Sequence, residues 1–421
     1  MKRAYLYTTV GVLLVTVSVF ILPAGCFAQS GGPAAAKPQI ISATPPMGWN
    51  SWNYFGPDVN ERIVRETTDA LVTYGFKDAG YVYMTIDDVW QGGRDQDGNI
   101  YPNPKTFPGG IKSLADYVHS KGLKFGIYTC AGEYTCNKKT SRFGHEKADA
   151  KTFAEWGVDF VKDDYCWAPD DYKEAAKRYT AMGDALKATG RPIVYSICEW
   201  GVLSPWLWAR QAGGNMWRIS YDVGDMWDNP RNVASCIGIL TAIDVMANIE
   251  RYAGPGGWND PDMLVIGLDN KGFIKGGGCT DTEYKTQMNM WSMFSAPLIM
   301  GGDVRSMRPA ARDILLNLEV IAIDQDPAGK QAFRVARTGC TDTYKKPLAD
   351  GRIAVGLLNR GRQPANMRVS WQELELDAQT RCQVRDVWSH TDLGESSASF
   401  SAEVAPHECK VVVMTPETKA K

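Results

Sequence analysis

A chain of 421 residues with 44% hydrophobic content has material for one large core and a smaller second unit, which excludes a disordered or fibrous class. Its 46 basic and 48 acidic residues leave a formal charge of −2 and form no sustained run of one sign, so the electrostatic footprint of a nucleic-acid or anionic-membrane binder is missing. Of only four histidines, His390 and His407 lie near the C-terminus, which argues against a histidine-rich metal site or a Ser-His-Asp triad.

At the N-terminus, Lys2 and Arg3 precede an apolar run over 10–22 and the small-residue stretch Pro23-Ala24-Gly25-Cys26-Phe27-Ala28. That order predicts a signal peptide over 1–28 and hence a secreted or periplasmic protein with no membrane association after cleavage. The apolar run is short for a bilayer span of ~20 residues. Pro23 stands where a bacterial lipobox takes an aliphatic residue, which weighs against a lipid at Cys26. Residues 29–43, rich in Gly, Pro and Ala, read as a linker. Nine cysteines remain after cleavage, an odd number that leaves at least one free thiol.

From residue 44 to 333 one pattern recurs: a short apolar or aromatic run ending in polar or acidic residues, then a segment of helical period. The runs fall at 47–49, 81–88, 124–128, 158–164, 193–199, 216–222, 257–262 and 297–303. Helix-like segments lie between them, including 61–74, 113–119 and 149–156; the second opens with the capping pattern Ser113-x-x-Asp116. Eight alternations predict an α/β fold, a (β/α)8 TIM barrel, with a doubly wound open sheet as the alternative. From 334 to 415 the runs become short and alternating, as at 352–358, 367–371 and 410–414. They predict a small C-terminal antiparallel β domain, a β-sandwich, followed by a tail over 416–421.

The acidic residues gather at the C-terminal ends of the predicted strands, where barrels carry their chemistry. In Lys162-Asp163-Asp164-Tyr165-Cys166, alternation puts Lys162, Asp164 and Cys166 on one face and Asp163 on the other. A lysine two residues before a lumenal carboxylate favours its ionised form, as a nucleophile requires; the plainer reading is a buried salt bridge. On the sixth run, Arg218 and Asp222 are four apart and share a face, which gives a second lumenal carboxylate. Two such groups flanking one bond are what glycoside hydrolysis needs. Asp87-Asp88 suits a polyhydroxylated ligand or, with Asp260 and Asp262, a magnesium ion. Aromatic residues stand beside each acidic position: Trp49, Trp52, Trp90, Tyr128, Trp167, Trp200 and Trp258. Such rings can pack on a pyranose face, although each alone is more often core.

These motifs together resemble glycoside hydrolase family 27, the α-galactosidase and α-N-acetylgalactosaminidase group. The strongest blocks are Ile86-Asp87-Asp88, the K-x-D-x-C from Lys162 to Cys166, Cys198-Glu199-Trp200 and Gly257-Trp258-Asn259-Asp260-Pro261-Asp262-Met263. The resemblance implies a retaining exo-α-galactosidase acting on oligo- or polysaccharide α-galactosides without metal or cofactor. It makes Asp164 the nucleophile and Asp222 the acid/base, with Asp87, Asp88 and Lys162 on the 3-, 4- and 6-hydroxyl side of galactose. Trp52, Tyr128 and Asp262 become further wall positions, and Cys136 and Cys166 a disulfide beside the nucleophile. Glu199, backed by Arg218, falls on the 2-hydroxyl and would exclude an acetamide. Asp88 rather than a longer acid favours galactose over arabinopyranosides. The alternatives are a relative with another glycone or linkage (α-N-acetylgalactosaminidase, β-L-arabinopyranosidase, isomalto-dextranase) and a catalytically silent carbohydrate-binding protein, which would be expected to lack one of the two carboxylates. Both are present. The stretch 267–282, around Cys279, is longer than in many relatives and falls at the rim of the site.

Overall fold

The structure, a computed structural model, describes residues 40–229 and 236–417. The expected signal peptide, linker residues 29–39 and tail residues 418–421 lie outside them. Among the described residues no helix is long and apolar enough to cross a membrane.

Eight parallel strands carry the larger part of the chain: β1 (Met47–Asn50), β2 (Tyr83–Thr85), β3 (Lys124–Cys130), β4 (Phe160–Asp164), β5 (Val194–Cys198), β6 (Met216–Arg218), β7 (Trp258–Asp260) and β8 (Leu298–Met300). Their order is β8-β1-β2-β3-β4-β5-β6-β7. The seam between β7 and β8 is joined just past the end of β7, where Leu264 bridges Met300 in parallel and its amide donates to the Ile299 carbonyl at 2.8 Å. All eight predicted runs are therefore strands of one curled sheet. Their residues are buried almost throughout, because side chains face either a filled lumen or the covering helices.

Some helix starts carry side-chain caps and others do not. Asn60 caps α1 (Glu61–Thr73) by accepting the Ile63 amide at 3.1 Å. The Ser113 capping pattern is not used: α2 (Ile111–Ser120) starts earlier, after Gly110, and Asp116 instead pairs with Lys112 at 2.9 Å. α3 (Glu146–Trp156) stops at Gly157, whose φ of 82° an L side chain rarely adopts. α4 (Tyr172–Ala188) is capped by Asp171.

The second sheet system begins at Phe333. A six-stranded antiparallel sheet faces the two-stranded pair Ala365–Ser370 and Ser399–Val404, and the two enclose a core that includes Val355, Leu357, Val369, Trp371, Val412 and Met414. Strands Ile353–Asn359 and Cys409–Pro416 are central, and the first is buried at every position. Alternation explains why. Val412 and Met414 enter the sandwich core, while Val411 and Val413 join the barrel core. The contact helix is Asp281–Met293, where Asn289 donates to the Cys409 carbonyl at 2.7 Å and Thr286 to the His407 carbonyl at 2.8 Å.

Asp163, on the outer face of β4, accepts from Arg142 at 2.7 Å and from the Tyr195 hydroxyl at 2.6 Å, with both ion-pair side chains fully buried. Arg142→Met should strip this carboxylate of its counter-charge and lower stability by about 3–5 kcal/mol, read as a fall in Tm. A change within 0.5 kcal/mol would show the pair to be dispensable.

Candidate active site

β4 sends Asp164 and Lys162 into the lumen, on the side opposite Asp163, as alternation requires. They enter a cavity of about 320 Å3 at the strands' C-terminal ends, at the small end of the range for small-molecule sites. Asp222 lines the same cavity, as do Asp87, Asp88, Trp52 and Tyr128. Its wall is completed by Cys136 and Cys166, which form a disulfide. A larger space of about 1200 Å3 lies between α3 and α4 on the outer flank and shares no lining residue with this cavity.

Asp164 is fixed on both oxygens. Oδ2 accepts from the Tyr128 hydroxyl at 3.1 Å and lies 3.4 Å from Cys136 Sγ, while Oδ1 accepts from the Tyr165 amide at 3.0 Å. Burial pushes its carboxyl pKa up to about 7; Lys162 opposes this, and Asp222 and Asp87 add to it. Lys162 does not bond Asp164. Its ammonium donates to Asp87 Oδ2 at 2.7 Å, so it acts on Asp164 through its field rather than by contact.

Asp87 and Asp88 sit in the turn after β2, a strand shorter than its predicted run. Asp87 Oδ2 also accepts from Asn50 at 2.7 Å, and Asp88 Oδ2 takes both the amide and the side chain of Asn137, at 2.9 and 3.0 Å. The acidic pair is thus engaged by nitrogen donors, the pattern of a hydroxyl-binding floor. Cys136, Asp164 and Cys166 form the one cluster of metal-capable atoms among the described residues, and two of those sulfurs are bonded to each other.

Three expectations change. β6 ends at Arg218, so Asp222 is not on the strand; it lies in the loop beyond, which folds back to place its carboxylate 3.0 Å from the buried Arg218 guanidinium. Arg218 and Asp262 lie beneath the cavity rather than in its wall, paired at 2.9 Å. Burial raises the Asp262 carboxyl and Arg218 opposes this. Glu199 does not reach Arg218 by a hydrogen bond and does not line this cavity. The chain turns sharply at Trp200 (φ 59°), and Glu199 accepts the Leu203 amide at 2.7 Å inside that turn. Trp200 takes the wall position instead, together with Tyr221 and Met263. The sequence marks Trp200 only as one of several aromatics. Tyr221 hides in the spacer before Asp222, and Met263 is a plain apolar residue in the last motif.

Asymmetry divides the two aspartates. Asp164 is buried, whereas the Asp222 side chain is 40% exposed, so a proton or a water can reach it from solvent. A barrel whose mouth holds a buried, anchored carboxylate and a solvent-facing one in a sugar-sized cavity is a glycoside hydrolase. Comparison with known proteins narrows the class. The profile described as α-galactosidase A matches residues 44–326, and the α-galactosidase C-terminal β-sandwich profile matches residues 338–414. The chain belongs to this α-galactosidase family, glycoside hydrolase family 27. It is 45% identical to α-galactosidase 3 of Arabidopsis thaliana over 90% of this chain and 83% of that one. Among solved structures, α-galactosidase I of Mortierella vinacea is 34% identical with a TM-score of 0.85, covering 90% of this chain and 99% of that one. The Saccharomyces cerevisiae α-galactosidase with raffinose is 29% identical with a TM-score of 0.84, covering 90% and 98%.

Proposed function

We propose that the protein removes terminal, non-reducing α-D-galactose from oligo- or polysaccharides with retention, by double displacement. The observation that carries this reading is the single small cavity lined by both Asp164 and Asp222, closed beneath by Asp87, Asp88 and Lys162. A cavity of this size takes one sugar ring, which makes the action exo. Ionised Asp164 attacks the anomeric carbon while Asp222 gives its proton to the departing oxygen. The same Asp222 then deprotonates the water that frees galactose. The Lys162 field favours the ionised form of Asp164 that attack requires, against the burial that opposes it. The names of the relatives and the raffinose held by the yeast enzyme support the glycone. The disulfide and the leader-like N-terminus support export, which an N-terminus of the mature protein near residue 29 would establish.

A panel of nitrophenyl glycosides tests the specificity. We expect kcat/KM on the α-galactoside to exceed that on the α-N-acetylgalactosaminide and the β-L-arabinopyranoside by about 100-fold or more. We expect Trp200 to crowd an acetamide and Asp88 to hold the far side of the ring. Preference for either rival would reassign the glycone.

A further inference from the structure

The long stretch at 267–282 meets the site on two sides, and the double displacement described above uses neither contact. Its two stems close on one carboxylate. Asp225, fully buried and three residues after the acid/base, accepts the Asn270 amide at 2.6 Å, the Cys279 amide at 3.1 Å and the Tyr284 hydroxyl at 2.8 Å. The Asp225 carbonyl takes the Gly278 amide at 2.9 Å as well. Residues 270–279 thus form a closed strap, footed in the loop that carries Asp222.

The tip of the strap lies on the single helical turn Trp52–Phe55, which follows β1 and supplies Trp52 to the wall of the catalytic cavity. Four residues are too few for a helix to hold itself together in water. Asn50 secures the start of the turn, its side chain accepting the Trp52 amide at 2.8 Å, but the carbonyls near its end find no partner within so short a helix. The strap supplies the donors. The Phe273 amide donates to the Asn53 and Tyr54 carbonyls at 3.0 and 2.9 Å, and the Ile274 amide to Asn53 at 2.8 Å. A Cβ on Gly272 would stand 2.8 Å from Tyr54 Cα, so the strap rests directly on the turn. From this tip the Phe273 ring meets the Trp52 indole edge to face, with centroids 5.1 Å apart and planes at 68°. Phe273 is 48% exposed and does not line the cavity itself.

We propose that Phe273 is a positioning residue for the glycone: it holds the Trp52 indole at the angle that the bound galactose ring requires. The strap behind it ties that wall to the acid/base loop through Asp225. The proposal rests on the α-galactosidase reading above. Because Phe273 lies outside the cavity and away from the wall that holds Asp164, its contribution falls on sugar binding and not on bond cleavage.

The test measures KM and kcat on nitrophenyl α-galactoside together with the inhibition constant of free galactose, which fills the glycone site alone. In Phe273→Ala the backbone bonds and the Asp225 footing remain, so Tm should stay within about 2 °C of the parent. We expect KM and the galactose inhibition constant each to rise about 5-fold with kcat within 2-fold, and Phe273→Tyr, which keeps the ring, to restore both. An active parent whose Phe273→Ala variant shows no rise in either constant, or a loss confined to kcat and Tm, would overturn the positioning role alone. A parent that neither cleaves the galactoside nor binds galactose defeats the α-galactosidase reading, and this inference with it.

Discussion

Asp164→Asn should cut turnover on the order of 10^4-fold or more and, at the same time, raise the melting temperature above neutral pH. The loss follows from chemistry: an amide cannot attack the anomeric carbon. The gain follows from burial. Asp164 titrates at about 7 in the fold against an ordinary 3.8, so the folded state binds its proton more tightly than the unfolded one. The sign is therefore unfavourable. As pH rises from about 4 to 7, ionising this group in the dry cavity drains stability that a neutral side chain keeps. With roughly 1.4 kcal/mol per unit the ceiling is about 4 kcal/mol, and one lost acceptor for Tyr128 or the Tyr165 amide offsets about 1 of it. Melts at pH 5 and pH 8 separate the effects, since the advantage should widen with pH. A variant no more stable than the parent at pH 8 would mean that the carboxylate is not strained by its surroundings. Burial raises the neighbouring Asp163 carboxyl as well, but there the direct Arg142 contact opposes it.

Asp222→Asn should lower kcat/KM on melibiose by about 10^2–10^4-fold and on a dinitrophenyl galactoside far less. A poor leaving group needs the proton, and a good one departs without it. The second half-reaction still lacks its base, so activated substrates should give a burst followed by slow turnover. The fold should tolerate the change, because Arg218 keeps Asp262 at 2.9 Å when its contact with residue 222 weakens. A uniform loss across leaving groups would take the acid/base role away from Asp222.

Much of this was readable in the chain. The eight strands announce themselves because each is a compact apolar run buried on both faces, and Asp164 follows from the period of two along β4. The hairpin Gln91–Arg94 with Ile100–Pro102 does not, since Gln91-Gly92-Gly93-Arg94 shows no alternation. It forms because Gly92 lets the Tyr101 ring lie against the backbone, where a Cβ would come within 2.7 Å of it. Asp222 was found for a reason that proved incomplete. Spacing of four suggested a shared strand face, and the contact with Arg218 is real, but a returning loop makes it. Glu199 was misplaced because its position depends on the backbone at Trp200 entering a region that bulky residues seldom occupy, and no local pattern encodes that turn. The effect of Lys162 on Asp164 follows its spacing of two, but its contact was not legible: the long stem reaches across the lumen to Asp87 at the end of β2.

The central strands of the C-terminal sheet system are greasy on both sides, with Val411 and Val413 belonging to one core and Val412 and Met414 to the other. Lys346 adds a polar rivet, its ammonium donating to the Ser292 carbonyl and Ser295 hydroxyl across the junction. The segments matched by two separate family profiles thus share a buried, hydrogen-bonded junction. An engineer seeking a minimal catalyst by trimming the chain near residue 333 would bare the Met290, Met293 and Phe294 flank to water, and a chimera that borrows another enzyme's tail must also import the matching surface of helix Asp281–Met293.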